Sequence, residues 1–270
     1  MQAVDFNIYA CPTCKGQLML EQDALSCPTC NVTYQIIDGI PNLIVGSETW
    51  SSSPVIRWVG RCYGWQAYIY DWPRCPLMIT LCGGLGSPSF KELMRVIAGM
   101  VKIDEGLTLD VACGPGAFGR RIASESRTVY GIDISMGILR RGMAYVRRHH
   151  IPNVRLVRAR AEALPFGNDV YDAALCVAAL HLFADPVSAL YEICRTMKEG
   201  APLAAMTLIA GNKGLMRSRR FRKLAQRCGA HIFEIAELEQ HLIKIGFEDF
   251  RPIVYGSLIL FSARKRQVQR

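Results

Sequence analysis

From about residue 88 the chain alternates between short apolar runs and amphipathic stretches. "SFKELMRVIAGMV" predicts a helix, "LTLDVA" (107–112) a strand, "AFGRRIASE" the opening of a helix and "TVYGID" a second strand. "SMGILRRGMAYVRRHH" continues as a helix, "VRLVRA" and "YDAALCVAAL" as strands three and four, "DPVSALYEICRTMK" as a helix and "APLAAMTLIA" as strand five. Such alternation builds an open, mostly parallel sheet covered by helices. Ligands in these sheets bind beyond the carboxyl ends of the strands, near the point where strand order reverses.

The first of these strands runs into "LDVACGPGAFG" (109–119), with G-x-G-x-x-G at Gly114, Gly116 and Gly119. An acidic residue, Asp133, follows about 20 residues on, the spacing of a dinucleotide turn. A dinucleotide turn must bring pyrophosphate to an unobstructed helix N-terminus. Here a carboxylate, Asp110, stands at the strand end, where it repels phosphate and suits a cationic ligand without one. S-adenosylmethionine, with an ammonium, a sulfonium and an adenosine, fits that requirement. Asp133 serves either ligand, because both present a ribose diol.

The rest of the chain resembles the seven-stranded, class I S-adenosylmethionine-dependent methyltransferases. "LDVACGPG" resembles their first motif, D-x-G-C-G-x-G, and "GIDIS" their acidic second-strand motif. "ARAEALPFGNDVYDAALC" resembles the adenine-side loop and fourth strand, and "EICRTMKEGAPLAAMT" the segment leading into strand five. "LEQHLIKIGFEDFRPIVYGSLILFSARK" resembles the closing helix and antiparallel hairpin, which dinucleotide domains lack. The resemblance spans about 88–266 and implies an α/β fold: a doubly wound, mostly parallel seven-stranded sheet with a C-terminal antiparallel hairpin. It further implies that Asp110, Ala112, Cys113, Gly114 and Gly116 shape the methionine pocket. Asp133 then binds the ribose hydroxyls and Ile134 packs on adenine. The family's acid and small residue after strand three fall here on Arg160 and Ala161. An arginine cannot accept the adenine amino group's hydrogen bond, so Glu162 or a backbone group takes that place. Ala112 stands where the motif usually has glycine. The altered loop keeps a non-catalytic, methyltransferase-like scaffold open as a reading.

Methyl transfer is an in-line displacement, and alignment in a dry site supplies much of its rate. The best-placed base is His181 in "AALHLFADP", just past strand four; the alternative is a loop histidine with a structural hydrogen bond. Asp185 before Pro186 reads as a helix N-cap. The strand-four end has neither the D/N-P-P-Y/F tetrad of amino-methylating nucleic-acid enzymes nor a Pro-Cys nucleophile. Three acceptor readings remain. The first is a small apolar or aromatic molecule of quinone or lipid type, since "EALPF" resembles ubiquinone/menaquinone methyltransferases. The second is ribosomal RNA, since guanine-methylating enzymes also carry an N-terminal zinc module. A remote third is thiol-mediated methylation of arsenic, using Cys62, Cys75 and Cys82.

"CPTC" at 11–14 and "CPTC" at 27–30 place Cys11, Cys14, Cys27 and Cys30 in two C-x2-C knuckles. Four thiolates so arranged can surround one tetrahedral Zn2+, and a set with no open position is structural rather than catalytic. So short a span cannot bury its own core, so the metal supplies its folding energy. The expected organisation is a zinc ribbon over 1–45, an aromatic-rich linker or lid over 46–87, the methyltransferase domain over 88–266 and a basic tail, 267–270. In the linker, Trp58, Trp65 and Trp72 recur at seven-residue spacing among Tyr63, Tyr68 and Tyr70. They suit an amphipathic segment packed on the main domain, an aromatic lid, or, with Arg57 and Arg61, a membrane-surface contact. Net charge is +9, concentrated in "RRHH" (147–150), "RSRRFRK" (217–223) and "RKRQVQR" (264–270). Such clusters attract the phosphates of RNA or anionic lipid, unless they are a solvated face. No apolar run reaches the roughly 20 residues of a membrane span and the first residues have no basic start, so the expectation is a soluble, cytoplasmic chain. The seven cysteines outside the knuckles read as small buried hydrophobes.

Overall fold

The computed structural model describes residues 6–44, 82–84, 87–102, 105–123, 127–211, 218–227 and 229–267. The tryptophan- and tyrosine-rich stretch, with Cys62 and Cys75, lies outside them. The first described segment forms a small antiparallel sheet of β1 (Met19–Glu21), β2 (Ala24–Cys27), β3 (Val32–Ile37) and β4 (Ile40–Pro41). Asp38 (φ 54°) and Gly39 (φ 77°) join β3 to β4. A two-residue hairpin loop needs positive φ at both positions, and Asp-Gly is a sequence that supplies it.

The second sheet has seven strands in the order β10-β11-β9-β8-β5-β6-β7. They are β5 (Gly106–Val111), β6 (Arg127–Asp133), β7 (Val154–Arg158), β8 (Ala173–Val177), β9 (Pro202–Leu208), β10 (Phe247–Tyr255) and β11 (Leu258–Lys265). Strands β5 to β9 pair in parallel, and β11 runs antiparallel to both β9 and β10. The chain leaves β5 toward β6 and β7, then returns to the other side of β5 with β8. Strand order therefore reverses between β5 and β8, and the glycine turn begins there. This is the doubly wound sheet with a closing hairpin that the motifs implied.

Alternate strand residues separate the two faces. Leu109 and Val111 of β5, Tyr130 and Ile132 of β6 and Ala174 and Cys176 of β8 point into one apolar cluster, while Val129, Ala173 and Leu175 point into clusters on the opposite face. Helices α1 (Phe90–Met100), α2 (Gly119–Ile122) and α3 (Met136–Arg148) cover that opposite face. Ser89 starts α1 with a capping box: its hydroxyl accepts from Glu92 N–H, and its own N–H donates to Glu92 Oε2 at 2.6 Å. Helices α4 (Pro186–Thr196) and α6 (Ile235–Ile245) cover the first face at one end. Asp185 caps α4, accepting from the N–H groups of Val187 and Ser188.

Between β7 and β8 the chain makes only a 3-10 turn, Ala161–Ala163. No helix from that crossover covers β6, and the cysteine-bearing segment takes the place. Tyr9 is 2 % exposed, stacked on Phe166 at 5.8 Å between ring centroids and edge-on to Tyr130 at 6.3 Å. Ala10 N–H donates to Pro165 O, and Leu43 N–H donates to Arg158 O beside β7. The small sheet thus shares one apolar cluster with the large one. Cys82, Cys113, Cys176 and Cys194 are all buried, as expected of small hydrophobes.

Candidate active site

Strand β5 ends in a buried acid. Asp110 is 2 % exposed, and its Oδ2 accepts a hydrogen bond from Gly119 N–H at 3.2 Å, at the start of α2. Gly119 has no room for a side chain: a Cβ there would lie 2.9 Å from Val129 Cγ1 and 3.3 Å from Asp110 Oδ2. Its role is the close seating of α2 on β6. Ahead of it the backbone turns with φ of 55° at Ala112, 57° at Gly114 and 75° at Gly116. The first of these is the place where the motif usually has glycine, and the structure shows why: the turn needs a left-handed residue there.

Asp133 ends β6 next door. Its Oδ2 accepts from Gly114 N–H at 3.0 Å and its Oδ1 from Ser135 N–H at 2.8 Å. One carboxylate thereby ties the glycine turn to the start of α3. Burial raises the Asp133 pKa above the usual carboxylate range. Burial, with the Asp133 charge nearby, pushes Asp110 up to about 7 against the pull of the Gly119 N–H. Two carboxylates so placed make the rim a favourable place for a cation, since each loses water on burial and gains from an opposite charge. The Cys113 thiol points back over Gly131, in the apolar cluster with Val129 and Leu156, so Cys113 shapes the turn through its backbone.

The residues expected on the adenine side lie beyond the ends of β6 and β7. Ile134 is half-buried and its carbonyl accepts from Arg158 Nε at 2.9 Å. Ala161 is buried at the start of the 3-10 turn, and Glu162 sits 3.6 Å from Arg160 Nε. The arginine in the acid's place therefore has a local anionic partner. His181 lies apart from these, in a 3-10 turn Leu180–Leu182 after β8. Its Nδ1 is 3.3 Å from the buried Thr207 Oγ1, its carbonyl accepts from His231 N–H, and burial lowers its pKa to about 4. The imidazole is neutral at neutral pH and is a weak base.

The sequence reading did not single out Ser135, Thr207, Arg158 or Asn42. Arg158 Nη1 donates to Asn42 Oδ1 at 3.3 Å, linking the small sheet to the adenine side. The knuckles converge as the spacing implied, with the four Sγ atoms of Cys11, Cys14, Cys27 and Cys30 within 4.8 Å of one another. Cys14 and Cys27 Sγ are 3.5 Å apart and Cys11 and Cys30 Sγ 4.0 Å. Tetrahedral Zn–S bonds of about 2.3 Å put sulfurs about 3.8 Å apart, so the set fits such an ion. N–H groups of Gly16 and Cys30 donate to the sulfurs of Cys14 and Cys27.

Residues 108–200 match the family described as "Methyltransferase domain", and residues 6–39 match "Trm112p-like protein". An uncharacterized chloroplastic methyltransferase of Arabidopsis thaliana is 24% identical over 277 residues, covering 96% of this chain and 78% of that protein. A demethylmenaquinone methyltransferase of Corynebacterium kroppenstedtii is 35% identical over 95 residues, 35% of this chain and 38% of that protein. Among solved structures, a Haemonchus contortus phosphoethanolamine N-methyltransferase 2 in complex with S-adenosyl-L-methionine superposes with TM-score 0.62. It is 16% identical and covers 76% of this chain and 57% of that one. A complex between the Haloferax volcanii Trm112 methyltransferase activator and a methyltransferase gives TM-score 0.56 at 15% identity, covering 65% of this chain and 89% of that one. With the sheet order and the glycine turn already described, the family matches make this chain a class I, S-adenosylmethionine-dependent methyltransferase that carries a Trm112p-like module ahead of its catalytic domain.

Proposed function

We propose that the enzyme methylates a small apolar or aromatic acceptor of quinone or lipid-like chemistry. The observation that carries this reading is the 35% identity to a demethylmenaquinone methyltransferase. The "EALPF" loop supports it: Leu164 and Phe166 are fully buried and hold the turn that bears Ala161 and Glu162.

In this reading Asp133 faces the ribose diol, Ile134 the adenine, and the turn from Ala112 to Gly116 the methionine end of the cofactor. Bound there, S-adenosylmethionine would supply an activated methyl carbon, and these residues would hold its ribose, adenine and methionine ends. Asp110 and Asp133 favour the cationic donor over its uncharged thioether product. His181 acts chiefly as a positioning residue, held by Thr207, since a base of pKa about 4 removes protons poorly at neutral pH. Zn2+ at Cys11, Cys14, Cys27 and Cys30 is structural, there being four thiolates and no open position.

A second reading, RNA methylation, draws on the Trm112p-like match and the basic stretches. The deciding experiment incubates the full chain with methyl-labelled S-adenosylmethionine and a cell lysate, then separates RNA, lipid and protein. Label in the lipid fraction is the expected result; label confined to RNA overturns the acceptor class.

A further inference from the structure

Between Glu199 and Glu234 the chain has no acidic residue and seven basic ones: Lys213, Arg217, Arg219, Arg220, Arg222, Lys223 and Arg227. Five of them fall in one helix, α5 (Arg219–Arg227), in which no side chain is buried. At 100° per residue, Phe221 and Ala225 share one side of α5. Both are partly buried, against an apolar cluster that includes Val177 and Leu208 at the carboxyl ends of β8 and β9. Arg219, Arg220, Lys223 and Arg227 occupy the opposite arc and are exposed. None of these four has an ion pair among the described residues. Leu224 stands at the edge of that arc and is 56 % exposed. The helix thus lies at the rim of the sheet where the glycine turn opens, presenting cations and an exposed leucine outward.

We propose that α5 is a docking surface for an anionic lipid bilayer. Charge complementarity selects an anionic partner, because this arc combines four cations with no carboxylate to compete. The leucine selects a lipid over a nucleic acid. An interfacial helix buries apolar side chains at the boundary between headgroups and acyl chains while its basic residues meet lipid phosphates. A surface that stacks bases would turn aromatic rings outward, and the one aromatic residue of α5, Phe221, packs inward. Docking here would set the mouth of the site against the layer in which an apolar acceptor dissolves. The surface fits the acceptor proposed above but does not require it, because vesicle binding is read with no acceptor present.

The test is co-sedimentation of the full chain with vesicles of phosphatidylcholine alone and of phosphatidylcholine with phosphatidylglycerol. Binding to the anionic vesicles only, weakened by added salt, is expected. The combined variant Arg219→Gln, Arg220→Gln, Lys223→Gln, Arg227→Gln should bind those vesicles at least about tenfold more weakly. Leu224→Ser should weaken the binding that survives in high salt. Circular dichroism and S-adenosylmethionine binding should be unchanged in both, since no buried side chain is altered. The proposal is overturned if the wild type ignores anionic vesicles, if the combined variant binds them as the wild type does, or if the same four residues bind a structured RNA while vesicles stay unbound. Vesicle binding together with label found only in RNA would leave this surface standing and remove the quinone reading.

Discussion

Asp110 is where one residue's surroundings set a measurable property of the enzyme. Its folded pKa, about 7, lies above the ordinary carboxylate range because of burial and the Asp133 charge. The folded state therefore favours the protonated acid. Its contribution to stability is complete below about pH 4 and is lost as pH rises toward 7. Cofactor affinity runs the other way, because a cationic ligand favours the carboxylate. Between pH 5.5 and 7, below the range where a ligand amino group titrates, the dissociation constant for S-adenosylmethionine should fall about tenfold. Calorimetry across that range checks it. Asp110→Asn keeps an acceptor for Gly119 N–H and should bind cofactor with a flat pH profile; a slope like that of the wild type would remove Asp110 from the binding site. Ala112 gives a second residue-scale expectation. Its φ of 55° is left-handed, which costs an alanine about 1 kcal/mol. Ala112→Gly should raise stability by up to about that amount in chemical denaturation.

At the scale of elements, α4 is the joint between the two sheets. Glu192 is 6 % exposed on its inner side. It accepts from Lys15 Nζ at 2.6 Å, Arg195 Nε at 2.7 Å and Leu164 N–H at 2.8 Å. Burial would push its pKa up, but hydrogen bonds and charge from Arg195 and Lys15 hold it below the usual range. Removing one member of such a set leaves the others buried and unmatched. Glu192→Ala should cost about 3 kcal/mol in urea unfolding, while Arg140→Ala, whose pair with Asp38 is exposed, should cost under about 1 kcal/mol. The cap at Asp185 was legible in the sequence because it is made by residues within a few positions of one another; the box at Ser89 and the Asp38-Gly39 turn are equally local. The strand read through "YDAALCVAAL" was too long: β8 stops at Val177, Ala178 turns left-handed at φ 57°, and a 3-10 turn follows. Alanines and leucines carry no period that distinguishes a strand end from a tight turn.

On the scale of the molecule, the cysteine module is part of the core. Tyr9, Leu25, Tyr34 and Leu43 belong to the same apolar cluster as Leu109, Tyr130 and Phe166. Disruption of the four-cysteine set should therefore reach the large sheet. Cys14→Ser is expected to release about one zinc ion and to lower the melting temperature of the whole chain in one transition. A lowered first transition followed by an unchanged second one, seen by differential scanning calorimetry, would show two independent units instead. A chelator should reproduce the shift in the wild type, since metal binding energy is folding energy in such modules.

The sequence by itself determined the order of strands and helices, the glycine turn with its two acids, the closing hairpin and the four-cysteine set. The hairpin was implied by the family resemblance; the others are written in short-range periodicity or spacing. Only the tertiary structure decided that the cysteine module covers the bare face of β6, that Asp110 is held behind the turn near neutrality, and that His181 is kept uncharged beside Thr207. Those properties depend on burial and on partners far apart in the chain, such as Lys15 and Glu192 at a separation of 177 residues, and no local pattern records such pairs.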